Sequence, residues 1–501
     1  MVKLATSIAA GVLALAGPAA AQDPVPAPSI ESQRAAIRAV FEDNRTTQHI
    51  PGTVFGIVRD GRLVLVEGLG VRDPATGKAV DPDTRFRIAS MSKAFTALAI
   101  LKLRDEGKID LGAPAARYVP ELAQWSQPSA DSRAVTVLDL LHHTAGLVED
   151  NPWGDRQQVL SEPEFSALIA SGITFATPPG TRMEYSNYGY ALLGRIVSNV
   201  SGRPYQNYIR DTIMVPLGMT STGYDIAKSP AQSRAIGYRW QDDAWVREPD
   251  LRDGAFGAMG GIETTANDYA KWIAFLLSAW PPGDAPDNGP AKRSTVRDMV
   301  VLVSPEPSRD RPAVLGPACR QGIGYGTGLN VIDDCELGRV VTHGGGYPGY
   351  GSNMVLLPDA GVGMFVFNNR TYAGAGLAQM KALLALRRSG AIPDRVTPVS
   401  PGLAEAYLQA TRAWVSGRLD NLPLANNVAL DRDLDRRERE IAEIKKSVGT
   451  CARSEPIVAI SAMEGTFTWT CSSGKVTGRV QRAPLARLEL QVLDFEFVPT
   501  D

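Results

Sequence analysis

Extended runs stand near both ends of the larger part of this chain, and helical spacing fills most of what lies between. Residues 52–71 read as a hairpin, two β-branched runs around Arg59-Asp60-Gly61, where Asp-Gly is a turn signal. Strands return at 338–343, 351–357 and 362–368, with Pro358-Asp359-Ala360-Gly361 between the last two. Helical spacing marks 30–46, 90–105 and a stretch near 374–388. Residues 110–330 read as mostly helical segments cut by Gly/Pro loops, among them 188–201, stopped by Gly202, and 266–279. One sheet shared by the opening and closing strands, with a helical insertion between them, accommodates this order. It predicts an α+β or α/β layer arrangement. Pro393 to Pro401 then reads as a linker. Beyond it, 402–447 is helical and heavily charged, and 456–499 alternates as strands do, turning at Ser472-Ser473-Gly474. A separate C-terminal α+β unit is therefore expected.

The first residues follow another logic. Lys3 precedes a short apolar run, Leu4 to Ala16, which Pro18 breaks before Ala19-Ala20-Ala21. The run is shorter than the ~20 residues a membrane-spanning helix needs. A charged start, an apolar stretch and small residues at the end are the parts of a signal peptide. We expect cleavage before Gln22, which gives three parts: a signal peptide (1–21), a main domain (22–394) and an accessory domain (400–501). No second apolar stretch approaches membrane length, so a periplasmic or secreted protein without a membrane span is expected. At 44% hydrophobic, 21% charged and net charge −2, the chain is neither a disordered polymer nor a polyanion binder, and no nucleic-acid partner is expected. Export also governs the cysteines. Cys319, Cys335, Cys451 and Cys471 are even in number and suggest disulfides. Nearest-neighbour pairing joins Cys319 to Cys335 and Cys451 to Cys471; the sequence leaves the other two pairings open. With no CxxC pair, and His49, His142, His143 and His343 forming no HExxH, neither metal nor cofactor is expected.

Three short motifs carry chemistry. Ser90 and Lys93 stand three apart where the apolar helix starts, so both side chains can point at one spot. A serine needs a base to become a nucleophile, and a lysine is that base once burial lowers its proton affinity. Alone the spacing says little, since Ser472 and Lys475 repeat it in a turn between strands. Tyr185 and Asn187 follow the rigid turn Pro178-Pro179-Gly180-Thr181; two apart on an extended or turning segment, they face the same way. A decoy stands at Tyr205 and Asn207, inside an expected helix where such a pair diverges. Third, Thr342-His343-Gly344-Gly345-Gly346 ends a β-branched run, and its glycines would let a substrate backbone lie close.

In the order Ser-x-x-Lys, Tyr-x-Asn, His-Gly-Gly, the chain resembles the penicillin-recognising serine hydrolases: class C β-lactamases, D-alanyl-D-alanine carboxypeptidases, D-aminopeptidases and related esterases. Leu140 to Leu147 (LLHHTAGL) and Gly260 to Asp268 (GGIETTAND) are also similar to family segments, and the resemblance covers about residues 32–390. It implies an antiparallel sheet beside an all-helical lobe, with the C-terminal α+β domain appended. It also implies an acyl-enzyme mechanism. Ser90 attacks, Lys93 takes its proton, and Tyr185 relays a proton to the leaving group. Asn187 orients Lys93 and the substrate, and the N–H groups of Ser90 and Gly346 receive the oxyanion. His343 and Gly345 would line the substrate site. The chain departs from the class C pattern at the third motif, where His343 replaces the lysine of Lys-Thr-Gly. A histidine carries only part of a positive charge near neutral pH. This moves the expectation toward hydrolysis of a small amide or short peptide. An esterase, a β-lactamase and a non-catalytic sensor on the same fold stay open. Oligomeric state is not legible.

Overall fold

The computed structural model describes residues 28–283, 286–452 and 455–499. The expected signal peptide lies outside the described residues.

Nine strands form one antiparallel sheet: β1 Gly52–Arg59, β2 Arg62–Asp73, β3 Lys78–Ala79, β4 Ser304–Asp310, β5 Arg320–Tyr325, β6 Asn330–Asp334, β7 Gly338–Tyr347, β8 Tyr350–Leu357 and β9 Val362–Asn368. Their order is β3-β2-β1-β9-β8-β7-β6-β5-β4, so the opening hairpin is paired directly with the last strand. The β1–β2 turn places Asp60 and Gly61 at positive φ, the conformation that a two-residue hairpin loop demands. Both faces of the sheet are covered. Val54 and Val58 of β1, with Phe365 and Phe367 of β9, join the core built on helices α2 (Lys93–Asp105), α3 (Asn187–Ser201) and α4 (Ala266–Leu277). Alternate residues Phe55, Ile57, Met364 and Val366 face a second core with helices α1 (Arg34–Thr47) and α5 (Gly376–Arg388). A strand buried on both faces has no polar side, which is why β1 and β9 read as continuous apolar runs.

The region expected to be helices and loops up to residue 330 differs in part. Residues 304–310 and 320–325, with 330–334, are strands that extend the sheet to its far edge. Pro305 and Pro307, the glycines of β5 and the exposure of most of β4 hid them. An edge strand tolerates proline because one side of its backbone needs no partner. A smaller hairpin, Tyr238–Gln241 with Ala244–Arg247, was also hidden.

Toward the C-terminus, helices Pro401–Ser416 and Leu434–Val448 pack on strands Glu464–Cys471, Gly474–Arg482 and Leu490–Val498. A separate core between Leu403 and Leu493 is centred on Trp414, Phe467 and Trp469. The cysteines pair as nearest neighbours, Cys319 with Cys335 and Cys451 with Cys471. Among the described residues no helix is long and apolar enough to cross a membrane, and no His/Cys/Asp/Glu group could hold a metal ion.

Candidate active site

Ser90 sits in a 3-10 turn, Ala89–Ser92, that leads into α2, and Lys93 is the first residue of the α-helix proper. Their three-residue spacing predicts both in one helical turn. The tighter turn serves the same end, because residues three apart eclipse in it. Lys93 Nζ lies 3.0 Å from Ser90 Oγ. Ala89 adopts φ +47°, a left-handed conformation that strains a residue with a side chain, directly before the serine. Neighbours hold it there. Ser352 Oγ of β8 donates to the Ile88 carbonyl at 2.8 Å, and the Ile262 N–H donates to Ser92 Oγ at 3.1 Å.

Lys93 is fully buried and also donates to Asn187 Oδ1 at 2.7 Å and to the Met259 carbonyl at 2.8 Å. Burial pulls its pKa down to about 7, against the attraction of Asp150 and Asp155. Near neutrality a large share of Lys93 is thus the neutral amine, which has a lone pair to accept a proton. Its Nζ stands 4.9 Å from the centre of the Tyr185 ring. Burial pushes the Tyr185 phenol well above its ordinary range, while the Ser90 side chain acts the other way, so the phenol keeps its proton. Ser186 caps α3 through the Gly189 N–H. Tyr185 therefore precedes the helix and Asn187 begins it, and both reach Lys93.

The third motif behaves differently from its sequence reading. β7 runs unbroken through Gly344, Gly345 and Gly346, so the glycines lie within the strand instead of after it. A Cβ at Gly345 would lie 2.3 Å from the Ile88 carbonyl oxygen, so the missing side chain lets the strand meet the serine's turn. Pairing with β6 ends at Thr342. Tyr347 and Tyr350 close the β7–β8 hairpin, and antiparallel alternation then aims the Gly346 N–H away from β8, along the unpaired strip. The His343 ring is buried. Its Nε2 lies 3.2 Å from the Tyr325 hydroxyl, and its Nδ1 lies 2.6 Å from the Gly344 carbonyl. Burial and the Lys93 charge lower its pKa to about 4, so it is neutral and supplies no part of the positive charge expected of it.

Ser90, Lys93, Tyr185, Asn187, His343, Gly345 and Gly346 thus cluster at one site, where α2, α3 and β7 approach each other. The decoys do not. Ser472 bonds the backbone of Val448 and Thr450 in its turn, and the Tyr205 hydroxyl donates to the Gly254 carbonyl.

A model of the Beta-lactamase family matches residues 37–388. The chain belongs to the beta-lactamase family. Protein flp of Staphylococcus aureus is 32% identical over 253 residues, 49% of this chain and 49% of that protein; the chain spans about half the length of such curated relatives. Among solved structures, the octameric penicillin-binding protein homologue from Pyrococcus abyssi has a TM-score of 0.60 at 21% identity, covering 92% of this chain and 99% of that one. The class C beta lactamase from Rhodobacter sphaeroides has a TM-score of 0.53 at 22% identity, covering 70% and 98%. At such identities the likeness is one of fold, the sheet-and-helix fold of beta-lactamases and penicillin-binding proteins, with a C-terminal sheet unit in addition.

Two residues of this beta-lactamase-family site carried no motif. Asp150 is fully buried, and its carboxylate accepts the N–H groups of Asn187 and Tyr188, each at 2.7 Å. It thereby closes the N-terminus of α3 and holds Asn187 against Lys93. His143, at φ +57°, accepts the Ser186 N–H on Nδ1 at 3.1 Å and packs its ring 4.3 Å from Tyr185. Its pKa is lowered by burial first and then by Lys93, so it too is neutral. Its segment resembled the family, but nothing in its spacing pointed to Tyr185.

Asp150 yields a prediction with a definite sign. Its charge favours the Lys93 ammonium, as does that of Asp155, while His143 and His343 face Lys93 uncharged. Asp150→Asn removes one negative charge, so the Lys93 pKa should fall further. The acid limb of a kcat/KM–pH profile, or of Ser90 labelling, should move to lower pH while the plateau drops as the cap weakens. A limb that stays in place or moves up would show that Asp150 does not act on Lys93.

Proposed function

We propose that the protein is an exported serine hydrolase that cleaves a small amide or peptide bond, in D-amino-acid-containing or otherwise unusual peptides, through an acyl-enzyme. The observation that carries this is the buried Lys93, 3.0 Å from Ser90 Oγ and with its pKa lowered to about 7. A solvated lysine near pKa 10.5 would be a cation with no room for the serine's proton. In the proposed sequence Ser90 Oγ attacks the carbonyl carbon as Lys93 accepts its proton. The Ser90 and Gly346 N–H groups receive the developing oxyanion, donors of a kind worth roughly 10²–10³ in rate each. Tyr185, holding its proton, gives it to the leaving nitrogen and then takes one from the water that frees the acyl group.

The neutral His343 supports an amide or peptide over a β-lactam. It stands where the class C pattern has lysine, and it offers no fixed cation for an antibiotic carboxylate. A fluorophosphonate should add one adduct at Ser90 in the native chain and none in Ser90→Ala. No adduct on folded protein would sink the hydrolase reading. Nitrocefin, p-nitrophenyl butyrate and D-alanine p-nitroanilide then rank the substrates. Turnover of the ester alone would make the protein a carboxylesterase, and nitrocefin alone a β-lactamase.

Export through residues 1–21 is part of this reading, supported by the apolar run of the N-terminus and by the two disulfides. The division into 22–394 and 400–501 is likewise proposed, supported by the separate core between Leu403 and Leu493.

A further inference from the structure

A cavity of about 660 Å³ adjoins the site residues, walled by Asn151, Asp155, Glu248, Pro249, Leu251 and Tyr372 among others. It touches the site at two points. Asn151 Oδ1 accepts from Asn187 Nδ2 at 3.1 Å, and the Tyr372 ring packs so closely on Gly346 that a Cβ there would lie 2.2 Å from it. Asp155 is 6% exposed, and the hydroxyl of Tyr372 donates to its carboxylate. Tyr372 itself is 53% exposed and sits at φ +53°. A buried carboxylate requires a donor, yet here the donor belongs to an exposed side chain on a strained backbone. That donor is replaceable.

We propose that this cavity receives the amine-bearing end of the substrate, and that a protonated primary amine takes the place of the Tyr372 hydroxyl on Asp155. This rests on the hydrolase reading above and narrows it to substrates with a free amine. The charges facing Asp155 are compatible. Lys93 and Arg87 favour its anionic form, Asp150 opposes it, and burial brings its pKa to about 6, so it is mostly ionised at neutral pH. Glu248 adds a second carboxylate to the wall, although Arg239 and the Thr371 hydroxyl already contact it. Arg156 is the opposing charge and lies exposed at the rim.

The test compares alanine p-nitroanilide with N-acetylalanine p-nitroanilide, each as D and L, as a ratio of kcat/KM. The same ratio is read, independently of turnover, from the concentrations of alaninamide and N-acetylalaninamide that halve the rate of fluorophosphonate labelling of Ser90. The free amine should be preferred by roughly tenfold or more, the worth of one hydrogen bond to a charged group. Asp155→Asn should bring the ratio close to one. Tyr372→Phe, which removes the competing donor, should hold or raise it. An unchanged ratio in Asp155→Asn, equal losses for both compounds, or a ratio near one in Tyr372→Phe would each overturn the inference. Wild-type protein that labels at Ser90 but shows no amine preference sinks this inference alone. Wild-type protein that does not label sinks the hydrolase reading itself.

Discussion

Lys93→Met should lower kcat/KM by about 10³-fold or more while the protein stays folded, because it removes the group proposed as the base for Ser90. Methionine nearly matches the volume of the lysine stem and leaves no buried charge. Asn187 Oδ1 and the Met259 carbonyl each lose a donor, so some loss of stability accompanies the loss of rate. The native protein should show a matching pH dependence. Lys93 must be neutral to accept the proton, and its pKa is about 7. Activity should therefore rise close to tenfold per pH unit below that value and level off above it. A lysine left solvated would move the limb toward pH 10, and Lys93→Met with near-native kcat/KM would remove Lys93 from the mechanism. Stopped assays across pH 5–9 on both proteins, with circular dichroism to verify the fold, distinguish these outcomes.

Gly345→Val should also cost activity heavily, for a steric reason. The added Cβ meets the Ile88 carbonyl at 2.3 Å and Ser352 Oγ at 2.2 Å, and Ala89 Cβ stands 3.1 Å away. Backbone has to give way, and the backbone in question carries Ser90. Overpacking of this kind costs about 1–3 kcal/mol. Displacing the serine by about 1 Å from its productive geometry costs on the order of 10² in rate. We expect a folded protein with a lower melting temperature and at least a hundredfold drop in kcat. Near-native kcat with an intact melting curve would show that β7 does not control the serine's turn. Gly344→Ala is the control, since a Cβ there meets the side-chain Asn353 Oδ1 at 3.2 Å and the Ser352 carbonyl oxygen no nearer than 3.9 Å.

These two residues differ in how they could be found. Lys93 is local to Ser90, and three-residue spacing already brings the two side chains together in any helical turn. The hairpin at Asp60-Gly61 and the stop at Gly202 are legible for the same reason, as each depends on the conformational preference of a few adjacent residues. Gly345 could be noticed as a glycine, but the reason for it, the carbonyl of Ile88, lies far away in sequence. The outer strands of the sheet escaped because their prolines, glycines and exposed charges suit an edge as well as a loop. Only pairing distinguishes the two.

Asp150 shows the same limit at the site. Its partner N–H groups are 37 and 38 residues away, and no spacing rule connects them. His343 shows it in electrostatics. The sequence determined that a histidine would stand at the third motif, together with the order of the motifs, the serine–lysine pair, the terminal strands and the even count of cysteines. These follow from residue type and short-range geometry. Its charge was decided by the tertiary structure, as were the discharge of Lys93, the capping of α3 by Asp150 and the meeting of Asp155 with Tyr372. Burial and proximity belong to the packed chain, and a pKa responds to those alone.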